Sequence, residues 1–476
     1  MVQVRGHLSR RQRSRDWLRE YFLRNRKYLF YGAVIVLLCL YVYLSISFIR
    51  RQQQEHQKEH QVNIIFQIAG FIVSKFFSYV SLFFQWYYGS SSADNSQNKN
   101  NNPVSIGVYY YPWWKEDRRF DKNYVRDFLE PPQRPLLGNY WSKNATIVDT
   151  HLKWMNEYGI SHLVASWWGK DGIEDITVRD YLLKSPQLGD IQVAVLWESI
   201  GRIGTDMNGW LDCPFDDEGE AEKKLVDDID HLATTIFSHP NYMKVDGKPV
   251  VFLYTTRIYS GQYKRAIQKL RRTIREKHKL ELYLVADEVY WTAFPNLERI
   301  QLFDALTAYN MYLGSFLWHG GYPDKTHYID DSETMYNLFQ AIANYYGLDF
   351  IPNVIPGYND RGIRLEVDQY AIPHEFSKEY AGSGKYTTLK QYLNLAYRIT
   401  RNAAPEKKSS ALSLIMITSW NEHHEDTGIE PIESTEMTVP ATTEPFLRTQ
   451  GYTYMAHGFE LLKVVRHFLT RYNKEQ

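Results

Sequence analysis

Eight short apolar runs recur between residue 104 and the carboxyl terminus, and they limit the architecture of this 476-residue chain more than any other feature. The runs are Val104–Tyr111, His162–Trp168, Ile191–Glu198, Pro249–Thr255, Leu282–Asp287, Asp304–Tyr312, Phe350–Pro356 and Leu412–Trp420. Their interiors are almost continuously hydrophobic, which is typical of parallel strands that are buried on both faces. The sequence therefore predicts eight parallel strands.

Amphipathic stretches of helical period separate many of these runs. They include Thr146–Tyr158, Ala221–Phe237, Tyr263–His278, Ser332–Tyr346 and Thr388–Thr400. Eight strand–helix units over residues 104–476 predict an α/β domain, a (β/α)8 TIM barrel. An open doubly wound sheet is the alternative, but the sequence lacks the Gly-rich phosphate loop expected after its first strand.

The amino-terminal region has the pattern of a membrane anchor. Residues 28–49 carry no charge over 22 positions, which is long enough to cross a bilayer as a helix. Residues 1–27 contain nine Arg and Lys against Asp16 and Glu20, which predicts a basic tail in the cytoplasm. A cleaved signal peptide fits less well, because the apolar run is long and no small-residue cleavage site follows it. We therefore expect a transmembrane signal anchor.

A second apolar run, residues 64–88, leaves the topology open. Its polar residues form one stripe on a helix, which fits an interfacial helix or a second span packed on the first. One span places the rest of the chain in a lumen or outside the cell, whereas two spans return it to the cytoplasm. The Asn144 sequon favours the first arrangement as a glycosylation site. The Ser- and Asn-rich residues 89–103 are typical of a flexible linker.

Composition excludes some partners and features. The formal net charge is zero, which argues against nucleic acid as the main partner. Aromatic residues make up 15% of the chain, a surplus that suits stacking on sugar rings as well as core packing. Cys39 and Cys213 are the two cysteines, and Cys39 lies in the apolar run 28–49, so no disulfide framework is expected within the chain.

The predicted strand ends are rich in polar and aromatic residues. In a barrel of this type, catalytic groups come from the carboxyl ends of the strands. The ends read Tyr109-Tyr-Tyr-Pro-Trp-Trp114, Ser166-Trp-Trp-Gly169, Trp197-Glu198, Tyr254, Asp287-Glu288, Tyr309-Asn310, Pro356-Gly-Tyr-Asn-Asp360 with Arg361 and Arg364 behind, and Trp420-Asn-Glu422. Carboxylates at several of these ends, with aromatic residues at nearly all of them, indicate a binding cleft.

The last run delivers two carboxylates that are three residues apart. The strand Leu412–Trp420 leads into Asn421, and Glu422 and Glu425 share one face if the chain turns helical there. Two carboxylates facing one substrate are sufficient for acid/base cleavage of a glycosidic bond. The adjacent His423 and His424 lack H-E-x-x-H spacing, so we expect neither a metal nor another cofactor.

Glu198 ends another apolar run, and its carboxylate is expected to face the barrel mouth. A helix N-cap or a structural ion pair is the alternative role for this residue. His239 follows the helix Ala221–Phe237, where it either contacts substrate or forms part of a turn.

These strand ends resemble glycoside hydrolase family 99, the endo-α-1,2-mannosidases and endomannanases. The main match is Ser419-Trp-Asn-Glu-His-His-Glu-Asp-Thr-Gly-Ile-Glu-Pro431, similar to the family's S-[FW]-N-E-W-H-E-G-T-x-I-E-P. Further matches are Tyr110–Trp113, Trp197-Glu198, Ser238–Tyr242, Ile351–Tyr358 and Ile363-Arg364, and the resemblance runs from Ile106 to Tyr472. It does not include the membrane region.

The resemblance implies a retaining, endo-acting hydrolase of internal α-1,2-mannosidic bonds that forms a 1,2-anhydro sugar. Glu422 would act as the base on the sugar's own 2-hydroxyl, and Glu425 as the acid that protonates the leaving oxygen. The resemblance also implies sugar contacts for Glu198 and His239. The full set of expected sugar-binding residues is Tyr111, Trp113, Trp167, Glu198, His239, Tyr254, Tyr309, Tyr358, Arg364, Asn421 and His424. The expected partner is an oligosaccharide or N-glycan.

Three residues depart from the family pattern. His423 stands where the family usually has Trp, Asp426 where it usually has Gly, and Ser199 where a Pro follows the third-strand Glu. A single-span, type II topology with the barrel in a Golgi-like lumen is the expected arrangement. The alternatives are a hydrolase of another α-linked polysaccharide and a membrane-anchored carbohydrate-binding protein without turnover.

Overall fold

A computed structural model describes residues 103–115, 124–207, 210–290, 295–311, 325–364, 371–372, 374, 387–401, 412–433, 447–449, 454 and 456–474. The predicted tail 1–27, the apolar runs 28–49 and 64–88, and the linker up to residue 102 lie outside this described part. Within the described residues, no helix is both long enough and apolar enough to span a membrane.

The described strands form a parallel, nearly closed barrel. Its strands are β1 (Ser105–Tyr110), β2 (Ile160–Trp167), β3 (Gln192–Trp197), β4 (Lys248–Leu253), β5 (Tyr283–Asp287), β6 (Ala305–Thr307), β7 (Asp349–Ile351), β8 (Asn353–Val354) and β9 (Leu414–Ile417). Their order in the sheet is β7-β6-β5-β4-β3-β2-β1-β9-β8, with every adjacent pair parallel. The parallel barrel predicted from the apolar runs is confirmed.

Strands β7 and β8 are one stretch of chain that is interrupted at Pro352. On one side Phe350 pairs with Leu306 of β6, and on the other Asn353 pairs with Met416 of β9. The Pro352 carbonyl accepts a hydrogen bond of 3.0 Å from the Met416 N–H. Proline has no N–H to donate, so the ladder breaks at this residue. The single strand predicted over 350–356 is therefore two short strands. They lie at opposite edges of the sheet, β7 beside β6 and β8 beside β9.

Helices follow the strands as the alternating pattern predicts. The long ones are α1 (Ala145–Tyr158), α2 (Glu220–Thr235), α3 (Tyr263–His278), α4 (Lys325–Tyr346), α5 (Thr388–Arg401) and α6 (Glu460–Lys474). Short helices are Val125–Phe128, Ile173–Ile176, which continues into the π-helix Thr177–Leu182, Ser199–Ile203, Thr256–Ile258 and Leu297–Ile300. Strands Thr205–Met207, Trp210–Phe215 and Tyr259–Gly261 form a minor sheet, and Lys244–Val245 pairs with β4.

Side chains alternate between two hydrophobic layers along each strand, as the pleat of a strand requires. The inner layer fills the barrel and includes Tyr109, Val164, Leu196, Phe252, Val285 and Met416. The outer layer packs the barrel against the helices and includes Tyr110, Trp167, Trp197, Leu253 and Ala286. Continuing this alternation beyond the last inner-layer residue of β2, β3 and β4 brings Ser166, Glu198 and Tyr254 to the inner side of the carboxyl-terminal mouth.

Gly107 provides a test of how tightly β1 fits between its neighbours. A Cβ atom at Gly107 would lie 2.5 Å from Met416 Sδ and 3.1 Å from His162 Cβ. We expect Gly107→Ala to lower the free energy of unfolding by about 1–3 kcal/mol, because an overpacked core strains its side chains. Denaturant unfolding of the variant measures this loss.

The control for this prediction is Met416→Ala, alone and combined with Gly107→Ala. Met416→Ala alone leaves a cavity, whereas in the double variant the new methyl group occupies part of the vacated space. We expect the double variant to lose less stability than the sum of the two single losses. Strict additivity would contradict the packing contact.

Candidate active site

The two carboxylates of the last strand lie on a tight turn at the barrel mouth. Residues 423–426 form a turn and not a helix, so the helical arrangement considered for Glu422 and Glu425 is wrong. The Glu422 N–H donates to Ser419 Oγ at 2.7 Å, and the His424 N–H donates to Glu422 Oε1 at 2.9 Å. A backbone N–H bound to a carboxylate stabilises its charged form.

Glu425 occupies a different environment from Glu422. Its Oε1 lies 3.6 Å from the Arg364 guanidinium, which also contacts Asp360 at 3.2 Å. Among the described residues, Glu425 Oε2 has no hydrogen-bond partner. Burial raises the pKa of Glu425 to about 7, although the charge of Arg364 opposes this shift. A carboxyl group with a pKa near neutrality suits proton donation and later proton acceptance.

Tyrosines from three strand ends lie among these carboxylates. The hydroxyl groups of Tyr111 and Tyr309 form a hydrogen bond, and the ring of Tyr254 meets that of Tyr309 edge-on at 5.1 Å. Burial raises the pKa of Tyr111 well above its ordinary value, and three nearby carboxylates raise it further. Those carboxylates are Glu198, Glu422 and Glu425. The structure therefore brings together six residues that the sequence predicted as one site.

Glu198 is a buried acid at the end of β3. Its Oε1 accepts a hydrogen bond of 2.6 Å from Ser166 Oγ, and burial raises its pKa to about 8. The backbone of Glu198 begins the short helix Ser199–Ile203, but the side chain makes no capping bond. Within the described residues, no cation forms an ion pair with it. Both alternative roles are therefore unsupported, and the neutral carboxyl group is available to donate a hydrogen bond at the mouth.

Trp167 does not reach the mouth, so its predicted sugar contact is wrong in this structure. It belongs to the outer layer, is fully buried, and donates its indole N–H to Asp175 Oδ1 at 3.0 Å. The neighbour Trp168 is 38% exposed and donates its indole N–H to Ser166 Oγ at 2.9 Å. Because side chains alternate along β2, the two-residue period would have selected Ser166 instead of Trp167.

His239 lies at the opposite end of the barrel, so its predicted sugar contact is also wrong. It follows α2 in the loop that leads back to the sheet, where its Nδ1 accepts the Asn241 N–H at 3.1 Å. The Asn241 side chain donates to the carbonyl of Ile191, which precedes β3. A loop that enters a strand lies at the amino-terminal face, away from catalytic residues.

The side-chain amide of Asn421 links the end of the first strand to the end of the last. Its Oδ1 accepts the Tyr111 N–H at 2.8 Å, and its Nδ2 donates to the Tyr111 carbonyl at 3.1 Å and to Tyr140 Oη at 3.0 Å. The Trp114 indole N–H donates to the Asn421 carbonyl at 3.0 Å. The predicted sugar contact of Asn421 is therefore replaced by a supporting role.

The remaining predicted residues lie around the same mouth. Trp113 packs on Tyr111 with ring centroids 4.6 Å apart and on Trp168 at 5.9 Å. The ring of His424 packs on Trp114 at 4.9 Å, and its Nδ1 is 3.6 Å from Glu422 Oε1.

Tyr358 and Asp287 form hydrogen bonds to other residues of the mouth. Tyr358 is buried and hydrogen-bonds the Asp360 carboxylate that holds Arg364. Asp287 Oδ2 accepts the Thr255 N–H at 3.0 Å, and its Oδ1 accepts the Tyr309 N–H at 2.9 Å. These two residues position neighbouring groups of the site.

A buried cluster lies behind the turn that carries Glu422 and Glu425. Glu430 Oε2 accepts from Tyr140 Oη at 2.7 Å and lies 3.2 Å from His423 Nε2, and Glu430 Oε1 is 3.0 Å from His151 Nε2. Burial alone would raise the pKa of Glu430, but the two histidines outweigh it and lower the pKa to about 2. His423 is 2% exposed, so this departure from the family pattern contacts the cluster and not the mouth.

Among the residues that the structure describes, no group of three or more His, Cys, Asp and Glu side chains could hold a metal ion.

Comparisons with known proteins agree with this arrangement. The family model for glycosyl hydrolase family 99 matches residues 75–443, which is most of the chain. The chain belongs to glycosyl hydrolase family 99. This membership confirms the resemblance drawn from the strand ends and shows that the chain is a glycoside hydrolase.

Relatives of this family 99 protein share modest sequence identity over most of its length. Glycoprotein endo-alpha-1,2-mannosidase of Rattus norvegicus is 22% identical over 427 residues, which covers 84% of this chain and 76% of the rat protein. The Mus musculus protein of the same name is 23% identical over 425 residues, with the same coverage of 84% and 76%.

Solved structures of similar proteins share the fold of this family 99 chain. The family 99 endo-alpha-mannosidase of Bacteroides thetaiotaomicron aligns with a TM-score of 0.52 at 19% identity and covers 78% of this chain and 98% of that one. A structure described as a glycoside hydrolase-like protein aligns with a TM-score of 0.54 at 16% identity, covering 79% and 97%.

The Glu430 cluster predicts an acid-sensitive contribution to stability. The pKa of Glu430 is about 2 in the folded protein against 4.5 for the unperturbed group, so its contribution is complete above pH 4.5 and is lost as the pH falls from 4.5 to 2. We expect Glu430→Gln to lower the free energy of unfolding by about 3 kcal/mol at pH 7, and by less below pH 4.5.

Urea unfolding between pH 7 and pH 3 measures this difference. Glu433→Gln is the matched control, because Glu433 is exposed and close in sequence. A Glu430→Gln deficit that stays constant over this range would contradict the charged cluster.

Proposed function

We propose that this family 99 enzyme cleaves internal α-1,2-mannosidic bonds with net retention, through a 1,2-anhydro sugar. The main supporting observation is the contrast between two carboxyl groups on one turn. Glu422 accepts a backbone N–H, which favours its charged form, whereas burial raises the pKa of Glu425 to about 7. One base and one acid on the same turn are what the first step requires. The names of the rat and mouse relatives support the choice of linkage.

In the first step the sugar supplies its own nucleophile. Glu422 takes the proton of the 2-hydroxyl, and the oxygen O2 forms a bond to the anomeric carbon. The bond between that carbon and the leaving oxygen breaks, and Glu425 gives its proton to the leaving oxygen. In a manno sugar the axial 2-hydroxyl lies opposite an axial leaving group, so no protein nucleophile has to reach the anomeric carbon. The products are the 1,2-anhydro sugar and the shortened glycan.

The second step reverses these proton transfers. Glu425, now a carboxylate, takes a proton from water, and the water oxygen attacks the anomeric carbon. The bond to O2 breaks, and Glu422 returns its proton to that oxygen. Two inversions at one carbon give net retention. Because both carboxyl groups end in their starting states, the site is ready for another turnover.

The surrounding residues have supporting roles in this proposal. Neutral Glu198 donates a hydrogen bond to a sugar hydroxyl. The hydrogen-bonded hydroxyl groups of Tyr111 and Tyr309 line the site near the carboxyl groups. Trp168 is partly exposed beside Trp113, and together they offer apolar ring faces at the mouth. Arg364 positions Glu425 through an ion pair, and its charge does not cancel the rise in the pKa of Glu425 that burial causes.

We also propose that residues 28–49 anchor the enzyme in a membrane, with the barrel in a Golgi-like lumen. Support comes from the uncharged 22-residue run and the basic tail before it. Asn144 is exposed at the start of α1, where its side chain accepts the Thr146 N–H at 3.0 Å. Its position at the surface makes it accessible to glycosylation in a lumen.

The roles of the two acids predict different responses to the leaving group. On a mannose-rich glycan, we expect Glu422→Gln and Glu425→Gln each to lower kcat by about 10²–10⁴-fold, the usual contribution of a general acid or base. On an α-mannosyl fluoride, whose leaving group needs no proton, Glu425→Gln should retain more activity than Glu422→Gln. Product release and fluoride release measure the two reactions.

Glu433→Gln is the matched control for both substrates, because this carboxylate is exposed on the same loop. Unchanged turnover in both acid variants would remove the proposed pair. Equal losses by Glu425→Gln on the two substrates would contradict its role as the acid. Binding of glycan without product, by wild type on every substrate, would favour a carbohydrate-binding protein.

The topology proposal predicts a modified Asn144. Full-length protein expressed in membranes of a glycosylating cell should lose mass on treatment with an N-glycosidase, and Asn144→Gln should not. Asn144→Gln keeps a side-chain amide but removes the sequon. A modified Asn144 excludes a barrel in the cytoplasm, whereas protease accessibility of the barrel in sealed vesicles, without added detergent, would contradict the lumenal placement.

A further inference from the structure

An ion pair buried behind the catalytic turn joins two distant parts of the chain. Arg126 Nε donates to Asp426 Oδ1 at 2.6 Å, and Arg126 Nη2 lies 3.5 Å from Asp426 Oδ2. The side chains are 2% and 5% exposed, and the residues are 300 positions apart in sequence. A buried charge is unfavourable without a partner, so each side chain depends on the other.

Asp426 carries a second unfavourable feature in its backbone. Its φ is 50°, in the left-handed region where a residue with a Cβ is less stable than Gly. The family pattern usually has Gly at this place, and this chain has an Asp whose carboxylate reaches Arg126. The contact with Arg126 offsets a conformation that the side chain itself disfavours.

The backbone of Asp426 also connects the turn 422–426 to neighbouring residues through hydrogen bonds. The Asp426 carbonyl accepts from His374 Nε2 at 2.6 Å, and the Asp426 N–H donates to the His423 carbonyl at 3.3 Å. The carbonyl of the adjacent Glu425 accepts the Asn359 N–H at 2.8 Å. Any movement of Asp426 therefore moves the backbone that carries Glu425.

Arg126 is itself held in place from the other side. It belongs to the short helix Val125–Phe128, and its Nη1 donates to Gln133 Oε1 at 2.6 Å. Gln133 Nε2 in turn donates to the Tyr454 carbonyl at 2.7 Å. The guanidinium is thus a fixed point against which the turn can be positioned.

We propose that the Arg126–Asp426 pair is a positioning device that holds the turn 422–426, so that Glu425 keeps its buried place beside Arg364. This inference rests on the proposed role of Glu425 as the acid. The side chains of Arg126 and Asp426 are buried behind the turn, so no direct contact with a substrate at the mouth is part of this proposal. Their effect on turnover comes from the placement of Glu425.

The test compares Asp426→Gly, Arg126→Met and the double variant, all in the full chain. Asp426→Gly supplies the residue best suited to the backbone but removes the carboxylate partner of Arg126, and Arg126→Met removes the guanidinium partner of Asp426. We expect each single variant to lower kcat on a mannose-rich glycan by about 10–100-fold with a smaller change in KM, as for a misplaced catalytic group. The double variant leaves no unpaired charge, so we expect it to unfold at a higher temperature than either single variant.

The pH profile separates positioning from simple loss of folded protein. The net effect of its surroundings raises the pKa of Glu425, so a turn released toward water lets that pKa fall toward its usual range. We expect the alkaline limb of kcat/KM to move down by about one pH unit in both single variants. Loss of folded protein alone would lower activity equally at every pH.

The two single variants also separate position from charge. Removing Asp426 leaves a positive charge near the turn, and removing Arg126 leaves a negative one. If the pair acts only through its charge, the alkaline limb moves down in Asp426→Gly and up in Arg126→Met. If it acts through position, the limb moves down in both, and opposite movements overturn the proposal.

Arg271→Met is the matched control. Arg271 donates to Asp304 Oδ2 at 2.6 Å and to the carbonyls of Leu282 and Leu302, at the end of the barrel away from the mouth. This variant should unfold at a lower temperature without any movement of the alkaline limb. A limb that moves equally in Arg271→Met and in the Arg126 and Asp426 variants would overturn the proposal.

A second readout keeps the proposal separate from the proposed function. Infrared difference spectroscopy titrates the Glu425 carboxyl group directly, with Glu425→Gln to assign its band. A lowered titration midpoint in both single variants supports positioning even if the wild type turns over none of the glycans tested. An unchanged midpoint in both overturns it, whatever the activity.

Discussion

The alternation of side chains along parallel strands determines which residues of this chain meet at the barrel mouth. Inner-layer residues such as Tyr109, Leu196 and Phe252 fill the barrel, and the same parity two residues further on brings Tyr111, Glu198 and Tyr254 to its open end. Outer residues at intermediate positions pack against helices instead. The site is therefore a continuation of the core, in which polar groups replace apolar ones and remain buried. This burial raises the pKa values of Glu198 and Glu425.

Much of this arrangement could be predicted from the sequence. Continuous apolar runs predict buried parallel strands, and the residues that end them identify the mouth without any knowledge of tertiary contacts. Proximity to a strand end wrongly assigns Trp167 and His239 to the mouth, because it takes no account of side-chain alternation or of the end of the barrel at which a loop lies. The conformation after Asn421 is not determined by the sequence, since the spacing of Glu422 and Glu425 is compatible with a tight turn as well as with a helix. The contact of Arg126 with Asp426 could not be predicted, because 300 residues separate them and no local pattern marks Arg126.

Two departures from the family pattern have structural rather than substrate-facing consequences. His423 and Asp426 lie on the turn 422–426, yet both direct their side chains into buried polar clusters. One contains Glu430 and His151, and the other contains Arg126. The turn is therefore supported by charge on both sides, where the family pattern has an aromatic ring and a glycine. The carboxyl groups that face the mouth are those that the family pattern shares.

The hydrogen bonds of Ser166 determine where Glu198 carries its proton. The Ser166 oxygen accepts the Trp168 indole N–H, and its single hydroxyl hydrogen is directed to Glu198 Oε1. An oxygen that accepts this hydrogen is the less basic of the two carboxyl oxygens. This hydrogen bond therefore favours protonation of the neutral acid at Oε2, the oxygen that Ser166 does not contact. In the proposed function, Glu198 would therefore favour a sugar hydroxyl placed to accept a hydrogen bond from Oε2 over one that can only donate, so it would select the orientation of a hydroxyl group as well as its presence.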